Sequence, residues 1–114
     1  MSFLELFFGI KPATDYKIDV LSVAEYTKKI SEKNVQLVDV RTAREYTSGH
    51  IKNAVNIDYY SSDFLKKTEA TFKKDLPLYI YCRSGARSMQ AARKLAAMGF
   101  AEIYDLKGGI LAWK

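Results

Sequence analysis

One stretch constrains this chain more than any other: Leu78-Tyr79-Ile80-Tyr81-Cys82-Arg83-Ser84-Gly85-Ala86-Arg87-Ser88. A short apolar run of strand character enters a tight polar loop, and from Met89 to Met98 the composition is strongly helical. A strand that runs through a glycine loop into a helix is a building unit of open α/β sheets, which place their sites outside the carboxyl ends of strands. The loop holds the single cysteine of the chain, with Arg83 beside it and Arg87 five residues on.

The chemistry of that loop follows from its residue types. A cysteine is a nucleophile only as its thiolate, which is favoured at a helix N-terminus or near arginine. Gly85 allows positive φ, so that successive N–H groups can turn inward as an anion-binding nest, and the helix that follows adds the positive end of its dipole. The expected object is a bowl of backbone donors with a thiolate at its base. It can hold an oxyanion, or a negatively charged sulfur attached to Cys82. The competing reading, a buried and inert cysteine, is weakened by the position of Cys82 between strand and basic loop.

At 114 residues the chain reads as one domain, with 48% hydrophobic and 27% charged residues typical of soluble globular proteins. No apolar run reaches the ~20 residues of a membrane span. The opening Met1 to Ile10 is apolar but has no basic start, which argues against a signal peptide and for a cytoplasmic protein. A lone cysteine forms no internal disulfide, and one His with one Cys argues against a zinc or iron site. No cofactor is expected. The net charge of +5 is spread over pairs such as Lys28-Lys29, Lys66-Lys67 and Lys73-Lys74, a solvated face rather than a nucleic-acid footprint. Its field favours small anionic substrates.

Read in order, residues 1–15 form an apolar arm and linker with Phe3, Phe7 and Phe8, and a domain follows over 16–114. Tyr16 to Val20 alternates as a strand, and Ser22 with Glu25 matches a capping box opening a helix to about Ile30. Val35 to Val40 reads as a buried central strand. Thr42 caps a short helix that Gly49 stops, and Asn53 to Ile57 is a short strand. Ser61-Ser62-Asp63 can cap a helix to about Glu69, with a second turn to Lys74. The helix after the loop runs from about Ser88 and ends before Gly99; Ala101 to Asp105 is the last strand, followed by Gly108-Gly109 and an apolar end at Trp113. Alternating strands and helices imply a small central parallel sheet with helices on both faces. The loops after the strands ending at Val40 and Tyr81 then share one edge, which makes Asp39 and Cys82 neighbours.

Four segments in order carry a resemblance: Leu37-Val38-Asp39-Val40-Arg41; Arg44-Glu45-Tyr46 with Gly49-His50-Ile51-Lys52-Asn53-Ala54-Val55-Asn56-Ile57; Tyr81 to Ser88; and Gly108-Gly109-Ile110-Leu111-Ala112-Trp113. Together they closely resemble the single-domain rhodaneses, from about Tyr16 to the end. The resemblance implies a rhodanese-like fold and a sulfurtransferase. In that reading a donor such as thiosulfate or a persulfide passes its outer sulfur to Cys82, and cyanide, a thiol or an acceptor protein removes it. Within the superfamily, six-residue loops accompany sulfur transfer, and loops one residue longer accompany phosphatases. Cys82 through Arg87 is six residues.

Carried over by position, Cys82 is the nucleophile, and Arg83, Ser84, Gly85, Ala86, Arg87 and Ser88 form the cradle. Arg83 is the candidate for drawing in the donor. Arg87 is the candidate for anchoring the loop, through Asp39. Asp39, Arg41 and Arg44 support the site, with Arg44 able to reach a bound anion; Glu45 and His50 read as structural. The alternatives are a non-catalytic rhodanese module that binds partners, and a cysteine phosphatase or arsenate reductase. A thiol redox enzyme would want a resolving cysteine, which this chain lacks.

Overall fold

The computed structural model describes residues 16–113. The apolar arm expected over 1–15 lies outside the described residues. Five strands, β1 (Lys17–Leu21), β2 (Gln36–Asp39), β3 (Val55–Asn56), β4 (Leu78–Tyr81) and β5 (Glu102–Leu106), form one sheet in the order β1-β5-β4-β2-β3. Every pairing is parallel. The helices are α1 (Val23–Ile30), α2 (Ala43–Thr47), α3 (Phe64–Thr71), α4 (Ala86–Ala97) and α5 (Gly109–Trp113).

The strand that feeds the cysteine loop, β4, is the middle one of the five and is buried along its whole length. This is why Leu78 to Tyr81 carries no polar alternation: a central parallel strand is covered on both faces. The strand ending at Asp39, expected to be central, lies one place outward. Side chains alternate between two cores. Val38, Val40, Leu78, Ile80, Cys82 and Ile103 face α3 and α4, packing on Phe64, Ala91, Ala92 and Leu95. Leu37, Tyr79, Tyr81 and Leu106 face the opposite layer with Tyr26, Ile110 and Trp113.

Local signals mark most boundaries. The Ser22 side chain accepts from the Glu25 N–H, yet the reciprocal capping box expected there is complete at Thr42, where the Glu45 side chain also takes the Thr42 N–H. Asp63 sits at the start of α3 but makes no cap, because its carboxylate is taken by the Ser61 hydroxyl and faces Lys67. The helix α3 ends at Thr71, without the second turn to Lys74. The helix α4 begins at Ala86, about half a turn earlier than expected, because Gly85 itself takes the cap position with φ +115°. That earlier start puts the helix N-terminus directly over Cys82. Among the described residues, no helix is long and apolar enough to cross a membrane.

Candidate active site

Cys82 stands one residue past the end of β4, with 1% of its surface exposed. Its Sγ accepts a hydrogen bond from the Gly85 N–H at 3.0 Å and lies 3.3 Å from the Ser88 hydroxyl. An α-helix leaves its first N–H groups without intrahelical partners, and in α4 these belong to Ala86, Arg87 and Ser88; Met89 makes the first helical bond, to the Gly85 carbonyl at 3.2 Å. The thiol therefore sits where backbone donors and the positive helix end converge. Arg83, Ser84 and Ala86 form the rim of the loop, and Ser88 is wholly buried at its floor.

Two groups around the sulfur can donate to a negative charge there, the Gly85 N–H that points at it and the hydroxyl of Ser88.

The carbonyls of the loop point the other way, into α5. The Ile110 N–H donates to the Cys82 carbonyl at 2.9 Å, and the Leu111 N–H to the Arg83 carbonyl at 3.2 Å. Gly109, at φ +64°, lets the first turn of α5 press onto the loop. A Cβ there would fall 2.3 Å from the Arg83 carbonyl oxygen and 2.6 Å from the Ser84 nitrogen. Satisfying the carbonyls from below leaves the amide groups free to face an anion. The Gly108-Gly109 pair is thus part of the site's support, a role its sequence position after the last strand could have suggested.

The loop's outer end is held by an ion pair, but not the expected one. Arg87 forms a two-pronged bond with Glu45, Nη1 to Oε1 at 2.7 Å and Nη2 to Oε2 at 2.9 Å. Those hydrogen bonds hold the Glu45 carboxyl down at about 2 and raise the Arg87 pKa further. Asp39 cannot fill this role. It alternates with Val38 and Val40, so its carboxylate points to the face of the sheet opposite α4. There it accepts from the Arg41 Nε and Nη2 and from the Tyr81 hydroxyl, at 2.7 to 3.1 Å. Burial works against the Arg41 charge, and the Asp39 bonds more than offset it. Arg41 Nη2 also donates to the Gly49 carbonyl, and the Tyr81 hydroxyl takes the Ile51 N–H, which ties the end of β2 to the following turn.

The shared-edge expectation for Asp39 and Cys82 holds at the level of backbone: Asp39 is paired with Tyr81, and the Val40 N–H bonds the Tyr81 carbonyl at 3.1 Å. Their side chains lie on opposite faces. Arg44 is exposed on α2, and among the described residues it makes no ion pair. Glu45, the next residue, is the one that reaches the loop. His50 stacks on Tyr46 with centroids 3.7 Å apart, and its Nδ1 lies 2.9 Å from the Tyr46 carbonyl, a local turn contact.

The family model described as Rhodanese-like domain matches residues 22–114, well over half of the chain. The chain belongs to the rhodanese-like domain family. A thiosulfate sulfurtransferase GlpE of Pseudomonas savastanoi is 35% identical over 79% of this chain and 82% of its own length. An uncharacterized protein, YqhL of Bacillus subtilis, is 41% identical over 71% of this chain; the match spans 62% of YqhL. Among solved structures, a rhodanese-like domain protein from Staphylococcus aureus superposes with a TM-score of 0.73 at 33% identity, covering 84% of this chain and 91% of that one. The rhodanese-like parallel sheet with helices on both faces is therefore both the family's fold and this chain's.

Proposed function

We propose that this protein is a sulfurtransferase that carries a sulfane sulfur as a persulfide on Cys82. The Cys82 thiolate attacks the outer sulfur of a donor such as thiosulfate. A Cys82 S–S bond forms, the donor's S–S bond breaks, and sulfite leaves with the electron pair. A thiophilic acceptor, cyanide or a thiolate, then attacks the outer sulfur of the persulfide and the Cys82 thiolate leaves unchanged. The site carries one negative charge before, between and after the two steps, which is what a fixed cradle of N–H donors can stabilise throughout.

The observation that carries this reading is the Gly85 N–H at 3.0 Å from Cys82 Sγ inside a loop of six residues from Cys82 to Arg87. So small a bowl suits one sulfur atom. The GlpE relatives named thiosulfate sulfurtransferases support the same chemistry. Arg83, exposed at the rim, draws in the anionic donor, while Ser84, Gly85, Ala86, Arg87 and Ser88 hold the transferred sulfur. In this reading the protein works on small anionic donors in the cytoplasm.

Intact mass of the wild type and Cys82→Ser after incubation with thiosulfate tests this. The wild type alone gains one sulfur, which cyanide removes as thiocyanate, and Arg83→Ala loads more slowly while discharging a preformed persulfide at the normal rate. A folded wild type with a free thiol and no gain in mass would overturn the reading in favour of a phosphatase or binding module.

A further inference from the structure

Thiosulfate is a small dianion without carbon, and its transfer of sulfur makes no use of an apolar surface. The mouth of the site nevertheless has one. Among the described residues six large apolar side chains are exposed, and Tyr60, at 68%, is the most exposed of them. Scattered singly on a surface, such residues need no explanation. Tyr60 and Leu111, the latter 48% exposed, are instead both attached to the Cys82 loop.

Tyr60 follows β3, in the segment that crosses the carboxyl edge of the sheet. Its backbone is fixed there: the Tyr59 N–H donates to the Val40 carbonyl at 3.0 Å, and the Tyr60 N–H to Asp58 Oδ1 at 2.9 Å. Tyr59 packs in the α3/α4 layer, edge-on to Phe64 with centroids 5.3 Å apart. The Tyr60 ring stays outside that layer, its centroid 5.6 Å from Arg87 Cζ. Because Glu45 already holds the guanidinium by two bonds, the ring rests against a fixed group at the end of the loop.

Leu111 comes from the other side of the sheet. Its helix α5 packs Ile110 and Trp113 into the layer opposite α4, and the Leu111 N–H bonds the Arg83 carbonyl at 3.2 Å. Arg83 stands at the start of the six-residue loop and Arg87 at its end, so the two apolar side chains bracket it. Between them Arg83, Ser84 and Ala86 are exposed. Cys82 lies beneath, only 1% exposed, so the sulfur to be transferred enters the bowl while the rest of the donor stays at the rim. An inorganic sulfonate finds Arg83 there. A donor with a carbon body also meets Tyr60 and Leu111, and covering apolar surface on them adds affinity that thiosulfate lacks.

We propose that the site is shaped for an anionic sulfane-sulfur donor carrying an apolar organic group, and that Tyr60 and Leu111 are the specificity-determining residues that take this group. The proposal rests on the sulfurtransferase reading and names its substrate class. Benzenethiosulfonate is a probe of that class. The Cys82 thiolate attacks its outer sulfur, a Cys82 S–S bond forms, the donor's S–S bond breaks, and benzenesulfinate leaves with the electron pair.

The test is the selectivity of the full chain: kcat/KM for benzenethiosulfonate divided by kcat/KM for thiosulfate, with cyanide as the common acceptor. Tyr60→Ala is expected to lower this ratio about tenfold and Leu111→Ala about threefold, while Tyr60→Phe, which keeps the ring, holds the wild-type ratio. A disturbance of Arg87 or of the loop slows both donors alike and leaves the ratio unchanged. A wild-type ratio in either alanine variant would therefore reduce that side chain to a cover on the loop and overturn the two-sided site, even with sulfur transfer intact. Failure of the sulfurtransferase reading looks different: the wild type then gains sulfur from neither donor, which overturns both.

Discussion

Gly109→Ala is the most informative single perturbation, because the structure separates its backbone cost from its steric cost. At φ +64° an alanine pays about 1–2 kcal/mol for left-handed backbone. The added methyl would also sit 2.3 Å from the Arg83 carbonyl oxygen and 2.5 Å from its carbon, both backbone atoms that no rotamer change can move. Relief requires α5 to back away from the loop. That strains the bonds from Ile110 to the Cys82 carbonyl and from Leu111 to the Arg83 carbonyl, which contribute about 1 kcal/mol each. With overpacking of about 1–3 kcal/mol, the expected destabilisation is about 3–5 kcal/mol. Folded molecules should load sulfur on Cys82 at least about tenfold more slowly, since a shifted loop loses the aim of its N–H groups. Urea denaturation followed by mass-detected thiosulfate loading per folded molecule measures both. Gly49→Ala is the control: its Cβ meets nothing within 4 Å, so it should lose stability through its backbone alone and keep normal loading. If Gly109→Ala matches the wild type in stability and loading, α5 does not brace the loop.

Two further substitutions probe the ion pairs on either side of the sheet. Because Glu45 is held at about 2 instead of 4.5, its pairing with Arg87 stabilises the protein above pH 4.5, and that stability is lost as pH falls toward 2. Glu45→Gln should cost about 1 kcal/mol at neutral pH, with the difference from wild type vanishing at the acid end of a pH series of urea melts. Asp39→Asn leaves Arg41, only 5% exposed, without its counter-charge and should cost about 3–5 kcal/mol in the same melts. The double variant Asp39→Asn, Arg41→Met should cost less than the single, as removing both charges leaves none buried alone.

Much of the site is legible in the sequence. Cys82, the turn at Gly85 and the basic rim follow from a strand, a glycine loop and a helix placed in succession, since adjacent residues stay adjacent. Pairings between distant segments are another matter. Asp39 and Arg87 have the right charges and the right edge of the sheet, but alternation sends the Asp39 carboxylate to the face away from α4. Glu45, with a merely structural look in the sequence, anchors the loop because the short helix capped by Thr42 aims it at Arg87.

Fold class, the cysteine and the loop around it are written in local sequence, because hydrophobic periodicity, turn residues and caps act over a few positions. Two features exist only in the folded chain: the choice of carboxylate for each guanidinium, and the bracing of the loop by α5 through Gly109. They depend on strand order and on which face each side chain takes. A shift of one residue along a strand reverses the face, and nothing in the local pattern says which strand lies next to which.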